Sequence, residues 1–229
     1  MITKGLGNGG WVQLLEMPDV ILPVLDEADG LSEVLRAIPT GFHAIVVDNG
    51  STDGSGAIAA GLGATVVYEP RRGFGSACQA GLLASTDDVV CFMDCDGSLD
   101  PAHLPVLCAS ILSGVSDLAV GERIPERGAW PVHARLLNRL LAFEVRRRTH
   151  LELRDLGPMR AARRTELLAL GIADRRFGWP LEMVLRAAAA GWRVTGTPIP
   201  YRRREGRSKV TGTVGGTIRA IRDMSRILR

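Results

Sequence analysis

Short apolar runs that stop at acidic or glycine-bearing turns, each followed by a stretch of helical spacing, constrain this chain more than any other feature. Val20-Ile21-Leu22 is stopped by Pro23, and Ala44-Ile45-Val46-Val47 closes on Asp48-Asn49-Gly50. Runs of this length bounded by turn residues read as buried strands. Between them Leu31, Val34, Leu35 and Ile38 recur at helical spacing, and Pro39-Thr40-Gly41 ends that run. The alternation continues with helices expected over 54–62, 75–84 and 104–112, and strands over 64–68, 88–93 and 118–120. Parallel strands need a crossover helix, and the crossover is right-handed, so the pattern predicts an α/β fold: a mostly parallel central sheet with helices on both faces.

The second half changes character. A loop is expected over 121–131, a helix over 132–147, a strand over 157–162, helices over 165–170 and 181–190, and a strand over 193–199. From Tyr201 the tail is basic, then glycine-rich over 212–216, then amphipathic to Arg229. At a prior of roughly 150 residues per domain, 229 residues with 46% hydrophobic and 23% charged content make one folded domain rather than a disordered or fibrous chain. The expected division is an N-terminal extension over 1–18, a ligand-binding half over 19–120, a second half over 121–212 and a terminal helix over 213–229. A net charge of +3 is too small a surplus to indicate nucleic acid. Cys78, Cys91, Cys95 and Cys108 match no metal or redox spacing and are expected as buried, reduced thiols. The N-terminus does not read as a signal peptide, and no stretch reaches the roughly 18 apolar residues of a spanning helix. A cytoplasmic protein is expected, with a peripheral contact at the cytoplasmic membrane face and a homodimer left open.

Ligands of open α/β sheets bind beyond the carboxyl ends of the strands, where this chain puts its acidic clusters. They are Asp26-Glu27, the run Asp48-Asn49-Gly50-Ser51-Thr52-Asp53, and Asp94-Cys95-Asp96. Two carboxylates one residue apart at a strand end suit Mg2+ or Mn2+, hard cations that take oxygen ligands and keep waters and substrate phosphates in their shell. An isolated Asp-x-Asp is more often a solvated turn, so the surrounding motifs must decide. Ser51, Thr52 or Asp53 can cap the following helix, and Asp48 can accept a hydrogen bond from a base or ribose. Arg71-Arg72-Gly73-Phe74-Gly75 sets two guanidiniums before a helix N-terminus, a place suited to phosphate, although a solvated basic turn fits equally. Asp155 and Glu182 are candidate general bases; each could equally cap a helix or pair with an arginine. His43, His103, His133 and His150 show no metal or triad spacing and read as structural or surface residues.

Taken in order, the segments from Val20 to Glu27, Val46 to Gly54, Glu69 to Gly73 and Phe92 to Gly97 resemble family 2 glycosyltransferases of GT-A fold, nearest the dolichyl-phosphate mannose synthase-like branch. Asp155-Leu156-Gly157-Pro158-Met159-Arg160, Gly178-Trp179-Pro180-Leu181-Glu182-Met183 and Gly206-Arg207-Ser208-Lys209-Val210 extend the likeness to about residues 19–212. The resemblance implies a nucleotide-diphosphate-sugar donor (UDP- or GDP-sugar), Mg2+ or Mn2+ on Asp94 and Asp96, and inversion at the anomeric carbon. Carried over, Pro23, Leu25 and Glu27 line the nucleoside pocket, Asp48 meets base or ribose, and Arg71 stands beside the phosphate-facing helix. Arg123 and Arg127 bind phosphate from a loop, and Arg204, Ser208 and Lys209 belong to a tail that closes over the diphosphate. Glu182 and Asp155 face an acceptor that is either a polyprenyl phosphate or a small hydroxyl compound. Asp26, Asn49, Leu25 and Ser98 depart from the family pattern. The competing expectations are a sugar-nucleotide-binding protein without transfer activity and a nucleotidyltransferase. The latter requires a glycine-rich, lysine-bearing loop after the first strand, where this chain is acidic. On the terminal helix, Arg219, Arg222, Arg226 and Arg229 alternate with Ile218, Ile221, Ile227 and Leu228, a pattern read as a solvated face with contact to anionic lipid as the alternative.

Overall fold

A computed structural model describes residues 18–204 and 214–228. Its elements alternate through the first half: β1 (Asp19–Val24), α1 (Ala28–Ala37), β2 (His43–Asp48), α2 (Ser55–Gly61), β3 (Thr65–Tyr68), α3 (Phe74–Ala84) and β4 (Val89–Phe92). A 3-10 turn at Pro101–His103 leads into α4 (Leu104–Leu112) and β5 (Leu118–Pro125). The second half adds α5 (Val132–Thr149), β6 (Arg160–Arg163), α6 (Arg164–Ala169), α7 (Trp179–Ala189), β7 (Val194–Tyr201) and α8 (Val214–Ile227).

The strands form one seven-stranded sheet in the order β3-β2-β1-β4-β6-β5-β7. Every pairing is parallel except those of β6, which runs antiparallel to both β4 and β5. Alternate residues of each central strand feed opposite faces, which is why the runs are apolar throughout. Val20, Leu22 and Val24 of β1 join Leu31, Ala59, Leu104 and Leu107 from α1, α2 and α4. Ile21, with Val47 of β2 and Phe92 of β4, joins Leu82, Val145, Leu167 and Trp179 from α3, α5, α6 and α7 on the other face. α3 lies so close to the sheet that a Cβ at Gly81 would stand 2.3 Å from Ile21 Cγ2 and 2.9 Å from Val47 Cγ2.

Two expectations change. The loop expected over 121–131 begins later, because β5 continues to Pro125, in parallel register with β7 as far as Tyr201. Arg123 therefore stands on a rigid strand. The strand expected over 157–162 starts only at Arg160, and its antiparallel insertion joins the parallel first half to β5 and β7. All four cysteines are buried and free.

Candidate active site

A cavity of about 550 Å³ opens at the carboxyl ends of β1 and β4, within the range for a small-molecule site. Pro23, Leu25 and Glu27 wall it from β1, and Asp94, Cys95 and Asp96 from β4. Arg123, Trp130, Tyr201 and Arg204 close the β5–β7 side, and Arg219, Ala220 and Met224 of α8 cover another flank. β4 ends early against β1: Phe92 pairs with Ile21, and the Met93 amide donates to the Ile21 carbonyl at 3.2 Å. The Asp94–Asp96 segment is thereby released beside Pro23.

The three acidic clusters divide into groups that face the cavity and groups that stitch loops. Asp26 Oδ1 accepts the Thr52 amide at 2.7 Å, and the Asp26 amide donates to Ser51 Oγ. Asp53 bridges two helix starts, accepting from the Ala28 amide at 2.9 Å and the Ser55 amide at 3.0 Å. It does not cap α2 in the expected way, since Gly54 holds the capping position. Asp48 Oδ1 accepts from the Gly50 and Ser51 amides at 3.1 and 2.7 Å and folds its own turn; Asp48 is absent from the cavity wall. Asn49, buried, donates to the Glu69 and Arg71 carbonyls and accepts the Gly73 amide, all at 2.8–2.9 Å. A carboxylate there could not make the two donations.

The cavity keeps Glu27, Asp94 and Asp96. Burial first, then the negative charge of Asp96, pushes the Asp94 carboxyl up to about 7, with Arg123 and Arg204 pulling it back and Glu27 adding to the rise. Asp96 Oδ1 accepts from the Ser98 amide and hydroxyl at 3.0 and 2.5 Å, which fixes its rotamer. Its Oδ2 meets Arg204 Nη2 at 3.0 Å, and the same nitrogen stands 3.7 Å from Glu27 Oε1. A cation is thus already drawn to the carboxylates, as their crowding demands. The donor set is hard oxygen and fits Mg2+ or Mn2+. No group of three or more His, Cys, Asp or Glu able to hold a metal occurs among the described residues, so ligand phosphates and water would have to complete the shell. The Cys95 thiol between the two acids is pushed well up by burial and then by Asp94, Glu27 and Asp96; it stays protonated and is no nucleophile.

Arg123 is the best-anchored cation of the cavity. Its Nε and Nη2 engage Asp155 Oδ2 and Oδ1 at 2.7 and 2.8 Å, and its own amide also donates to Oδ2. The guanidinium lies 4.0 Å from the Trp130 ring centroid and 5.5 Å from that of Tyr201. Burial works against its charge, but the Asp155 bond more than restores it. Asp155 is buried, is consumed by this pair and does not line the cavity. Arg160 is fully buried, with its basicity lowered to about 10 by burial. It donates to the carbonyls of Gly157, Pro180 and Leu156, fixing Pro158 and Pro180 in the wall.

Several expected site residues are not brought in. Glu182, the candidate base, is buried and accepts from the Ala173 amide at 3.1 Å and the Asp174 amide at 2.7 Å while pairing with Arg186 Nε at 2.6 Å. Burial raises its pKa, but these partners outweigh that and hold it below the usual value. It anchors the loop that delivers Arg176 and Phe177 to the cavity and does not itself reach it. Arg71 is exposed and outside the wall, whereas Arg72 lines it with Nη2 on the Gly50 carbonyl at 2.9 Å. The α3 N-terminus is not an open anion site, because the Gly75 and Ser76 amides donate to the carbonyls of Arg176 and Arg175 at 3.1 and 2.9 Å. The approach needs glycine: a Cβ at Gly75 would lie 2.8 Å from the Asp174 oxygen. Arg127 is exposed beyond β5 and does not line the cavity. Ser208 and Lys209 lie outside the described residues.

Arg72, read with Arg71 as a phosphate-suited pair, does line the cavity; residues that sequence reasoning missed are Trp130, Arg176, Phe177, Tyr201 and Met224. Of these only Trp130 carried a signal, as a lone aromatic in a polar loop after a strand. On α8, Arg219 lines the cavity, Asp223 is buried and pairs with Arg176 Nε at 3.1 Å, and Met224, Ile227 and Leu228 pack on the core. Of the face read as solvated, Ile221, Arg222 and Arg226 are exposed, whereas Arg219 lines the cavity and Ile227 and Leu228 pack on the core.

Solved structures share this mixed, mostly parallel sheet. Glucosyl-3-phosphoglycerate synthase from Mycobacterium tuberculosis, solved with Mn2+, UDP-glucose and phosphoglyceric acid, matches with a TM-score of 0.74 at 24% identity, over 96% of this chain and 85% of that one. The fold is GT-A. Residues 19–170 match Glycosyl transferase family 2, and the chain belongs to that family. An uncharacterized glycosyltransferase of M. tuberculosis is 48% identical over 211 residues, 91% of this chain and 96% of the relative. Polyprenol monophosphomannose synthase of Mycolicibacterium smegmatis is 31% identical over 85% of this chain and 81% of its own length. Undecaprenyl-phosphate mannosyltransferase of Micrococcus luteus is 30% identical over 86% of this chain and 88% of its own length. These relatives fit the dolichyl-phosphate mannose synthase-like branch.

Proposed function

We propose that the protein is an inverting, divalent-metal-dependent glycosyltransferase that moves a sugar from a UDP- or GDP-sugar to a polyprenyl phosphate. The observation that carries the acceptor is the absence of a free base at the expected positions. Glu182 is bound to two backbone amides and Arg186, and Asp155 is bound bidentately to Arg123. A hydroxyl acceptor needs its proton removed, whereas a phosphate monoester is already an anionic nucleophile. The wall is also rich in cations, with Arg72, Arg123, Arg176, Arg204 and Arg219 set against Glu27, Asp94 and Asp96. That balance suits two phosphate-bearing substrates. The names of the relatives that act on polyprenyl phosphates point the same way.

On this reading Asp94 and Asp96 would hold the ion, whose charge would stabilise the negative charge of a departing diphosphate. Arg123, held flat against Trp130 by Asp155, presents a desolvated guanidinium to phosphate oxygens. Arg204 leaves Asp96 for the diphosphate; its Nε is buried with no hydrogen-bond partner among the described residues, a donor that a ligand oxygen would satisfy. Pro23 and Leu25 border the nucleoside, and Ser208 and Lys209 are assigned to the diphosphate by the family likeness.

The test is a thermal-shift and calorimetric panel of UDP-, GDP- and dTDP-sugars with and without Mn2+, since a ligand that binds only the folded state raises its melting temperature. A metal-dependent shift with one base is expected, and it should vanish in Asp96→Ala. Mn2+-dependent affinity that survives unchanged in that variant would overturn the metal assignment.

A further inference from the structure

The outer face of α5 carries an apolar stripe that the fold leaves uncovered. Val132 is 79% exposed, Phe143 64%, and Leu136 and Leu140 each 58%. The spacing of four, four and three residues gathers these side chains into an arc of about 80° at roughly 100° per residue. Ala134, Ala142 and Val145 are buried on the opposite side, where Leu141 also packs against the core. Single exposed apolar residues are ordinary, but a contiguous stripe marks a contact surface.

Arginines border the stripe along one edge. Arg135, Arg139 and Arg146 fall on that side, and Arg147 continues the line of the stripe one turn past Phe143, all exposed. Glu144, the acidic residue of this helix, is engaged by Arg147 Nη2 at 2.8 Å and Arg148 Nε at 2.5 Å. An apolar stripe with arginines along its edge is what an interfacial helix needs: the stripe enters the acyl boundary while the guanidiniums reach anionic headgroups. A second copy of the chain packed antiparallel across this face would set the arginine rows against one another. The helix also begins at the cavity. Trp130, two residues before Val132, lines the cavity wall and stacks on Arg123.

We propose that the exposed face of α5 docks the protein on an anionic lipid bilayer, seating Val132, Leu136, Leu140 and Phe143 in the interface and placing the cavity beside the headgroup layer. The proposal rests on the surface of α5 and not on the transferase reading. It supplies a route by which a membrane-held acceptor reaches the cavity. Among the described residues no helix is long and apolar enough to cross a membrane, so the contact is peripheral.

The test is co-sedimentation of the full chain with phosphatidylcholine vesicles lacking or containing phosphatidylglycerol, without any sugar nucleotide. Binding to the phosphatidylglycerol vesicles is expected, weakened by salt. Leu136→Ser, Leu140→Ser and Phe143→Ser combined should lower the vesicle affinity by about tenfold or more while leaving the melting temperature unchanged, because none of the three is buried. Arg139→Gln with Arg146→Gln should weaken binding to the anionic vesicles alone. Equal partitioning of the wild type and the triple variant would overturn the proposal, as would a dimer in sedimentation velocity that the triple variant abolishes. Donor binding measured in parallel separates failure of this surface from failure of the transferase reading.

Discussion

Asp94 and Glu182 show how one residue type takes opposite roles according to its partners. Asp94 stands beside Asp96 with its carboxyl raised to about 7, burial being the larger cause and the neighbouring charge the next. Its burial therefore costs the ligand-free protein stability that grows as pH rises above the unfolded value near 3.8 and is complete above about 7. Asp94→Asn should raise the urea-unfolding stability of ligand-free protein at pH 8 by about 1–3 kcal/mol and abolish transfer. Glu182 is lowered instead, because its amide and arginine partners outweigh burial. Loss of a general base costs roughly 10²–10⁴ in rate, but Glu182→Gln retains an oxygen for the Ala173 and Asp174 amides. Its kcat should therefore fall less than about tenfold, with an unaltered pH profile of kcat. A kcat loss of the larger size accompanied by loss of the basic limb of that profile would make Glu182 the base. The sequence revealed Glu27, Asp94 and Asp96 because strand ends in such sheets face the ligand. It could not reveal that Asp48 binds its own turn, that Asp155 binds Arg123, or that Arg72 rather than Arg71 reaches the wall. Each of those depends on a backbone amide or a carbonyl whose position only the folded loops define.

At the scale of elements, two contacts set how closely the layers meet. Asp19 at the start of β1 accepts from Ser85 Oγ at 2.5 Å and from the Thr86 and Asp87 amides, and meets His43 Nδ1 at 2.7 Å, so it ties β1 to the α3–β4 turn and to β2. Burial raises its pKa, but the bonds from Ser85, His43, Thr86 and Asp87 together win and hold it below its ordinary value. A folded-state pKa below the unfolded one gives stability that is present above the unfolded value, near 3.8, and lost as pH falls through the folded value. Unfolding midpoints in urea should therefore drop as pH falls below about 4, and Asp19→Asn should flatten that drop while lowering stability at neutral pH by about 1–3 kcal/mol. Gly81→Ala forces a methyl into Ile21 and should cost about 1–3 kcal/mol in the same assay, whereas Gly61→Ala, with open space around it, should not. The alternating elements were legible from periodicity alone. The length of β5 was not, because strand character at Gly121–Pro125 comes from pairing with β7 rather than from its own residues.

At the scale of the whole molecule, the first half of the sheet follows from helix-separated apolar runs, since right-handed crossovers leave few alternatives. A strand over 157–162 was legible, but the antiparallel insertion of β6 between β4 and β5 was not, because Arg160-Ala161-Ala162-Arg163 carries no local signal of its direction or neighbours. That insertion brings Arg123 and Tyr201 round to Asp94 and makes one cavity from residues far apart in the chain. α8 and the Arg176 loop then close it, through contacts that no local pattern announces. The molecule so assembled gathers Glu27, Asp94 and Asp96 against five arginines in one cavity, with Glu182 and Asp155 engaged elsewhere; on the proposed reading the carboxylates take a metal and the arginines two phosphates. The most direct test is transfer itself: radiolabelled UDP- and GDP-sugars incubated with Mn2+ and either a polyprenyl phosphate or small hydroxyl acceptors, followed by extraction into organic solvent. The account predicts labelled sugar in the organic phase, with stoichiometric release of nucleoside diphosphate and loss of both in Asp96→Ala. Transfer to hydroxyl acceptors alone, or binding of donors with no turnover on any acceptor, would contradict it.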